Sequence, residues 1–118
     1  MEQSQTPSRI LLVDDEKAII DNLASFLERA GFAIAVALDG EAALDQVARL
    51  TPDLLVLDVL MPKMNGREVV RRLRQQDNWT PIILLTRVGQ STERAMALEE
   101  GADDYLNKPF DPQELMAR

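Results

Sequence analysis

The sequence contains no cysteine and no histidine. Without cysteine there is no disulfide, no thiol nucleophile and no thiolate metal site, a composition that fits a reducing compartment. Without histidine the chain cannot build a Ser-His-Asp triad, a haem ligand or the usual zinc site. Any chemistry therefore falls to carboxylates, hydroxyls, Lys and Arg, the backbone or a hard metal ion. Aromatic residues are scarce, with one Trp, one Tyr and three Phe. Positive charge is the minority sign, 13 Lys and Arg against 20 Asp and Glu, for a net charge of −7. Such a surface repels phosphate backbones, so no direct nucleic-acid binding by this segment is expected. No apolar run approaches the ~18–20 residues of a membrane span. The opening MEQSQTPSR lacks the apolar stretch of a secretory signal. The expectation is a cytoplasmic location with no membrane partner.

What is present is enough apolar material for a core: 46% of 118 residues, the size of one domain. Five apolar runs read as strands, at Arg9–Val13, Phe32–Val36, Asp53–Leu57, Pro81–Leu85 and, more weakly, Asp104–Asn107. Three of them (ILLV, LLVL, IILL) are nearly continuous, as strands covered on both faces should be. Helical spacing fills the gaps. Ile19, Leu23, Phe26, Leu27 and Ala30 make one stripe, closed by Gly31 as a C-terminal cap. Ala43, Leu44, Val47 and Leu50 make a second, ended by Thr51-Pro52, and Val69, Val70 and Leu73 a third. Ala95, Met96 and Leu98, followed by Gly101, make a fourth. Regular alternation of strand and helix implies an α/β domain with a parallel sheet and helices on both faces. Residues 1–7 read as a flexible lead and 8–118 as the domain. Asp111, Pro112 and Glu114 suit a helix start. That helix stops at Arg118 without a cap, and is expected to be truncated.

In an open α/β sheet, ligands bind beyond the carboxyl ends of the strands. The first strand delivers Asp14 and Asp15 there, and the second delivers Leu38 and Asp39. The third delivers Asp58, the fourth Thr86, and the fifth Lys108 followed by Pro109. Each has a structural reading too. Asp15 suits the N-cap of a helix starting at Glu16. Asp58 interrupts LLVLDVLMP, where a carboxylate costs several kcal/mol unless paired, coordinated or hydrated. Thr86 and Lys108-Pro109 suit plain strand ends. Together, however, the strands send three carboxylates, a hydroxyl and an ammonium to one edge. Close carboxylates repel, and at neutral pH such a group takes up a proton or recruits a cation. An all-oxygen set selects a hard ion, and Mg²⁺ completed by phosphate oxygens is the matching pattern. A carboxylate also serves as a nucleophile toward phosphorus, giving an aspartyl phosphate. Phosphoryl transfer requires positioning and charge neutralisation, which Mg²⁺, Lys108 and Thr86 would supply. Asp58 is the best nucleophile, alone on the central strand while Asp14 and Asp15 share the metal.

These residues match a known family. ILLVDDE with Asp14-Asp15, LLVLDVLMPKMNG with Asp58, Met61-Pro62 and Gly66, IILLT ending in Thr86, and GADDYLNKPF with Lys108-Pro109 resemble the receiver domain of bacterial two-component response regulators. The resemblance covers about residues 8–118 and implies a flavodoxin-like sheet of five parallel strands in the order 2-1-3-4-5. It implies phosphorylation of Asp58 by a sensor histidine kinase, with Mg²⁺ held by Asp15, Asp58 and the Leu60 carbonyl. Asp14 would act mainly through water around the ion. It also implies a cis peptide before Pro109.

A switch follows from the same resemblance, with Thr86 moving toward the phosphoryl group and Tyr105 rotating inward behind it. The readout surface would be the fourth helix, fifth strand and fifth helix. Here LEEGADDYLNKPFDPQELMAR is similar to the class of regulators that carry a C-terminal winged-helix DNA-binding domain. In that class this surface forms a homodimer, for which Arg94, Glu99, Asp103, Asp104, Glu114 and Arg118 are the candidates. DNA would then be met only through an output domain outside this segment. Two departures stand out. Arg87 occupies a position where the family usually has a small residue, so it stands either to cover the site in part or to pair with an acidic neighbour. Leu60 and Val88 are both apolar and unable to orient an attacking water, so slow loss of the phosphoryl group is expected. The rival readings are a phosphohydrolase, a nucleotide binder, a stand-alone phosphorelay receiver and an interaction module that is not phosphorylated. The first would need an acid at Leu60. The second would need a Gly/Ser/Thr-rich loop where Asp14-Asp15-Glu16 stands. No turnover of a separate substrate is expected.

Overall fold

The computed structural model describes residues 8–59, 61, 64–87 and 102–108, with the backbone alone at 86–87 and 105–108. The elements run β1 (Arg9–Val13), α1 (Lys17–Arg29), β2 (Ala33–Ala37), α2 (Gly40–Leu50), β3 (Leu54–Asp58), α3 (Gly66–Gln75), β4 (Ile82–Arg87) and β5 (Asp104–Lys108). The strands form one parallel sheet in the order β2-β1-β3-β4-β5. The fold is therefore the flavodoxin-like α/β arrangement that the alternation and the motifs implied.

The continuous apolar strands divide their side chains by the period of two. Ile10, Leu12, Val56, Ile83 and Leu85 face α1 and pack with Ile20, Leu23 and Leu27. Leu11, Val13, Leu55, Leu57, Ile82 and Leu84 face the other way, onto Ala43 and Val47 of α2 and Val69, Val70 and Leu73 of α3. This is why ILLV, LLVL and IILL carry no polar alternation: both faces of the central strands are core.

The helix limits follow local chemistry. Gly31, just past the C-cap Ala30, takes φ 104°, which suits glycine. Asp39 caps α2, its Oδ1 accepting the Ala42 N–H at 2.8 Å. Asn65 caps α3 by accepting the Glu68 N–H at 3.0 Å. Glu68 in turn accepts from Arg72 Nε at 3.0 Å and pairs with Arg71. The hydrogen bond from Arg72 holds the Glu68 carboxyl below its ordinary range, with Arg71 adding to it.

Several boundaries differ from the sequence reading. The second strand is Ala33–Ala37 rather than Phe32–Val36, and the third is Leu54–Asp58 rather than Asp53–Leu57. Asp53 is instead a clasp at the strand's entrance, its carboxylate accepting the Arg9 N–H at 2.8 Å. The fourth strand starts after Pro81, which has no N–H to give, and runs on through Thr86 to Arg87. The fifth includes Lys108. On α1 the buried stripe uses Ile20 in place of Ile19, and Ala30 is exposed. The fourth helical stripe, the truncated helix at 111–118, the lead at 1–7 and the peptide before Pro109 lie outside the described residues.

Candidate functional site

Parallel registers fix which residues stand level at the carboxyl edge. Ala37, Val13, Leu57, Leu84 and Tyr105 form one row across the sheet. One residue further along each chain, Asp14 and Asp58 stand side by side where the strand order changes direction between β1 and β3. Asp58 pairs with Leu85, Thr86 with Asn107, and Arg87 with Lys108. The backbone alone therefore brings Asp14, Asp15, Asp58, Thr86 and Lys108 to the same edge.

Asp14 and Asp58 are buried, at 1% and 6% exposure, and Asp15 is exposed. One carboxylate oxygen from each of the three lies within 4.8 Å of the others. Asp14 is held from both ends: its N–H donates to the Ala37 carbonyl at 3.3 Å, and its Oδ1 accepts the Glu16 N–H at 3.0 Å. That bond ties the carboxylate across the turn into α1. The helix begins at Lys17 with Glu16 as cap residue, so Asp15 does not cap it as one structural reading held. The main chain after Asp58 is held as firmly. Val59 donates to the Leu85 carbonyl at 3.1 Å, and the Gly66 N–H donates to the Val59 carbonyl at 2.8 Å.

Two unit charges 4 Å apart repel by about 1 kcal/mol in water and about 4 kcal/mol at an effective dielectric of 20. With two of three members withdrawn from solvent, such a cluster is suited to a cation. The donors are all oxygen, so a hard divalent ion fits and a soft one does not. Asp14, Asp15 and Asp58 are thus a set that fits a metal ion.

The other candidates are placed less fully. Tyr105 lies on β5 opposite Leu84. Asp104 begins β5, and Asp103 just before it accepts from the Ile82 N–H at 2.8 Å and from Arg74 at 3.2 Å. Asp103 therefore clasps the entrance of β4 to that of β5. Leu60, Val88, Arg94, Glu99, Glu114 and Arg118 lie outside the described residues. In the sequence Asp39 and Gly40 carry no distinctive signal, and Gly66 stands out only as part of a motif. A Cβ at Gly66 would overlap the carbonyl oxygen of Asp58 and come within 3.1 Å of its carbonyl carbon.

Trp79 marks the far edge of the sheet. It is 67% exposed, its Nε1 donates to Asp77 at 2.9 Å, and the Arg74 guanidinium sits 5.2 Å from its ring centre. Parallel strands put all carboxyl ends at one edge, and Trp79 precedes β4. Its fluorescence is therefore expected to stay essentially unchanged through a Mg²⁺ titration. Strong quenching would contradict this placement.

Residues 10–118 match the family model described as the response regulator receiver domain. The alkaline phosphatase synthesis transcriptional regulatory protein PhoP of Bacillus subtilis is 47% identical over 110 residues, covering 93% of this chain and 46% of that protein. The response regulator MprA of Mycobacterium leprae is 48% identical over 110 residues, covering 93% and 48%. The chain thus spans about half the length of these curated relatives. The receiver domain of the Francisella response regulator 1452 superposes with a TM-score of 0.89 at 34% identity, covering 94% of this chain and 92% of that one. Among the described residues no helix is long and apolar enough to cross a membrane.

Proposed function

This chain belongs to the response regulator receiver domain family, and from that premise we propose that it is a signalling switch whose phosphoryl acceptor is Asp58. The observation that carries this reading is the convergence of Asp14, Asp15 and Asp58 within 4.8 Å at the carboxyl edge. Asp58 ends a central strand with its side chain largely withdrawn from water. A sensor histidine kinase is the donor. An Asp58 carboxylate oxygen forms a bond to phosphorus as the donor's P–N bond breaks, and the donor imidazole nitrogen keeps the electron pair and takes up a proton. Attack in line requires the acceptor held still, and the hydrogen bonds around Val59 serve that purpose.

Mg²⁺ would be held by Asp15 and Asp58, with Asp14 behind them and the Leu60 carbonyl as a further ligand, and it would neutralise charge on the transferring phosphoryl oxygens. Thr86 donates a hydrogen bond to a phosphoryl oxygen, and the Lys108 ammonium offsets the remaining charge. Thr86 and Tyr105 then carry the change to a surface around β5, where Arg94, Glu99, Asp103, Asp104, Glu114 and Arg118 are the contact candidates for a homodimer. The relative named as a transcriptional regulatory protein supports transcription as the output, and the resemblance in sequence to the winged-helix class supports a DNA-binding output domain outside this segment. The chain is a switch that modifies itself, with no turnover of a separate substrate, and its site of action is the cytoplasm.

The test is intact mass after incubation with a small-molecule phosphoryl donor, with and without Mg²⁺. One phosphoryl adduct that appears only with Mg²⁺ is expected. No adduct under either condition, in a variant with Arg87→Ala as well, would leave the chain an interaction module and overturn this reading.

A further inference from the structure

Gly40 opens α2 and is buried. A Cβ there would lie 2.9 Å from the Met64 carbonyl oxygen, 3.0 Å from Met64 Cβ and 3.0 Å from Val69 Cγ2. Real Cβ atoms almost never come as close as the contact with the Met64 carbonyl, and the other two are tighter than most, so Met64 rests against a backbone where an added methyl group forces a shift. Met64 lies two residues before Gly66, whose own missing Cβ leaves room for the Asp58 carbonyl. Two close contacts thus run in series, from the start of α2 to the start of α3, and from there to the main chain of Asp58.

We propose that Gly40 is a positioning residue for the acidic site, acting through Met64 and Gly66 on the main chain of Asp58. The direction of give decides this. On the α2 side, the helix is pinned by the Asp39 cap, by Ala43 and Val47 at 0% and 1% exposure, and by Gln46 donating to the Val36 carbonyl at 2.9 Å. On the other side, Met64 is only half-buried and lies in the connection between β3 and α3. A methyl group at position 40 therefore displaces the connection rather than α2. Because Gly66 has no slack against Asp58, the displacement reaches the carboxylate. Groups that hydrogen-bond a metal ligand directly typically change metal affinity by ~10–100-fold, and a relay one step further out is expected at the low end of that range.

The inference rests on the reading of the site given above, and its test separates the two. In Gly40→Ala without metal, the amide resonances of Val59 and Gly66 are expected to shift, and Mg²⁺ affinity to fall ~10-fold. Val47→Ala, a cavity in the same helix, supplies the comparison for lost stability alone and is expected to keep wild-type Mg²⁺ affinity. Adding Met64→Gly to Gly40→Ala removes the Cβ approach and frees the carbonyl to turn, which is expected to return both resonances toward their wild-type positions. Unmoved resonances in Gly40→Ala, or equal Mg²⁺ losses in Gly40→Ala and Val47→Ala, would overturn the relay. A wild-type protein that takes up no Mg²⁺ would instead overturn the reading of the acidic site, and the metal-free resonances would still decide the relay.

Discussion

Asp58→Asn is expected to abolish the phosphoryl adduct and, at the same time, to raise the melting temperature in metal-free buffer. The amide keeps the shape of the carboxylate but has no anionic oxygen to attack phosphorus, so the loss should be complete. The gain in stability has a different origin. Wild-type Asp58 sits within 4.8 Å of two other carboxylates and is 6% exposed. Removing one of three like charges relieves repulsion on the order of 1 kcal/mol or more. In a domain of this size that corresponds to roughly 3–7 °C. Mg²⁺ should reverse the order. A ligand at 100 times its dissociation constant stabilises the wild type by about 2.7 kcal/mol, while the variant, with a weakened site, gains much less. Intact mass and melting curves with and without Mg²⁺ check both halves. An adduct surviving in Asp58→Asn would move the acceptor to Asp14 or Asp15. A lower melting point would show that Asp58 is held by favourable partners that outweigh the repulsion.

The acidic edge on which this expectation rests is legible in the sequence because strand ends are. ILLV, LLVL and IILL announce strands with two covered faces, and the residues following them announce what reaches the carboxyl edge. Asp14, Asp15 and Asp58 are gathered on that basis from the strand ends alone. Adjacent isoleucines are harder: Ile19 and Ile20 both satisfy a loose helical stripe, and only the packing of α1 on the sheet selects Ile20. Strand entrances were also illegible. Asp53 and Asp103 each bind a backbone N–H of a strand far away in sequence, Arg9 and Ile82 respectively, so nothing local distinguishes them from ordinary loop acids. Glycine is the extreme case, since the use of a missing side chain depends wholly on what approaches through space. Gly40 carries no signal in the sequence and Gly66 stands out only within a motif, and neither spacing nor composition points to Met64 or to the Asp58 carbonyl.

Gly66→Ala is for that reason the substitution expected to cost most for the smallest chemical change. Helix propensity argues the other way, since alanine is favoured over glycine by about 1 kcal/mol inside a helix. Position 66 is the first residue of α3, beside the Asn65 cap, and its backbone has no need of glycine's special conformations. The contact decides the sign. An added Cβ meets the Asp58 carbonyl oxygen, and lies 3.1 Å from both the Asp58 carbonyl carbon and Val59 Cα. These are main-chain atoms, fixed by the pairing of Asp58 with Leu85 and by the 2.8 Å hydrogen bond from Gly66 to Val59, so no rotamer change relieves them. Overpacking of this kind costs about 1–3 kcal/mol, and stretching a buried backbone hydrogen bond adds about 1–3 kcal/mol. After the propensity gain, a net loss of roughly 1–5 kcal/mol remains, enough to lower the melting temperature by several degrees at the least. Mg²⁺ should recover little of it, because the strain falls on the residue proposed to supply a ligand carboxylate. Urea unfolding with and without Mg²⁺ checks this. A variant as stable as the wild type would mean that α3 can draw away from Asp58 freely, and the rigid seating argued for the acceptor would then be wrong.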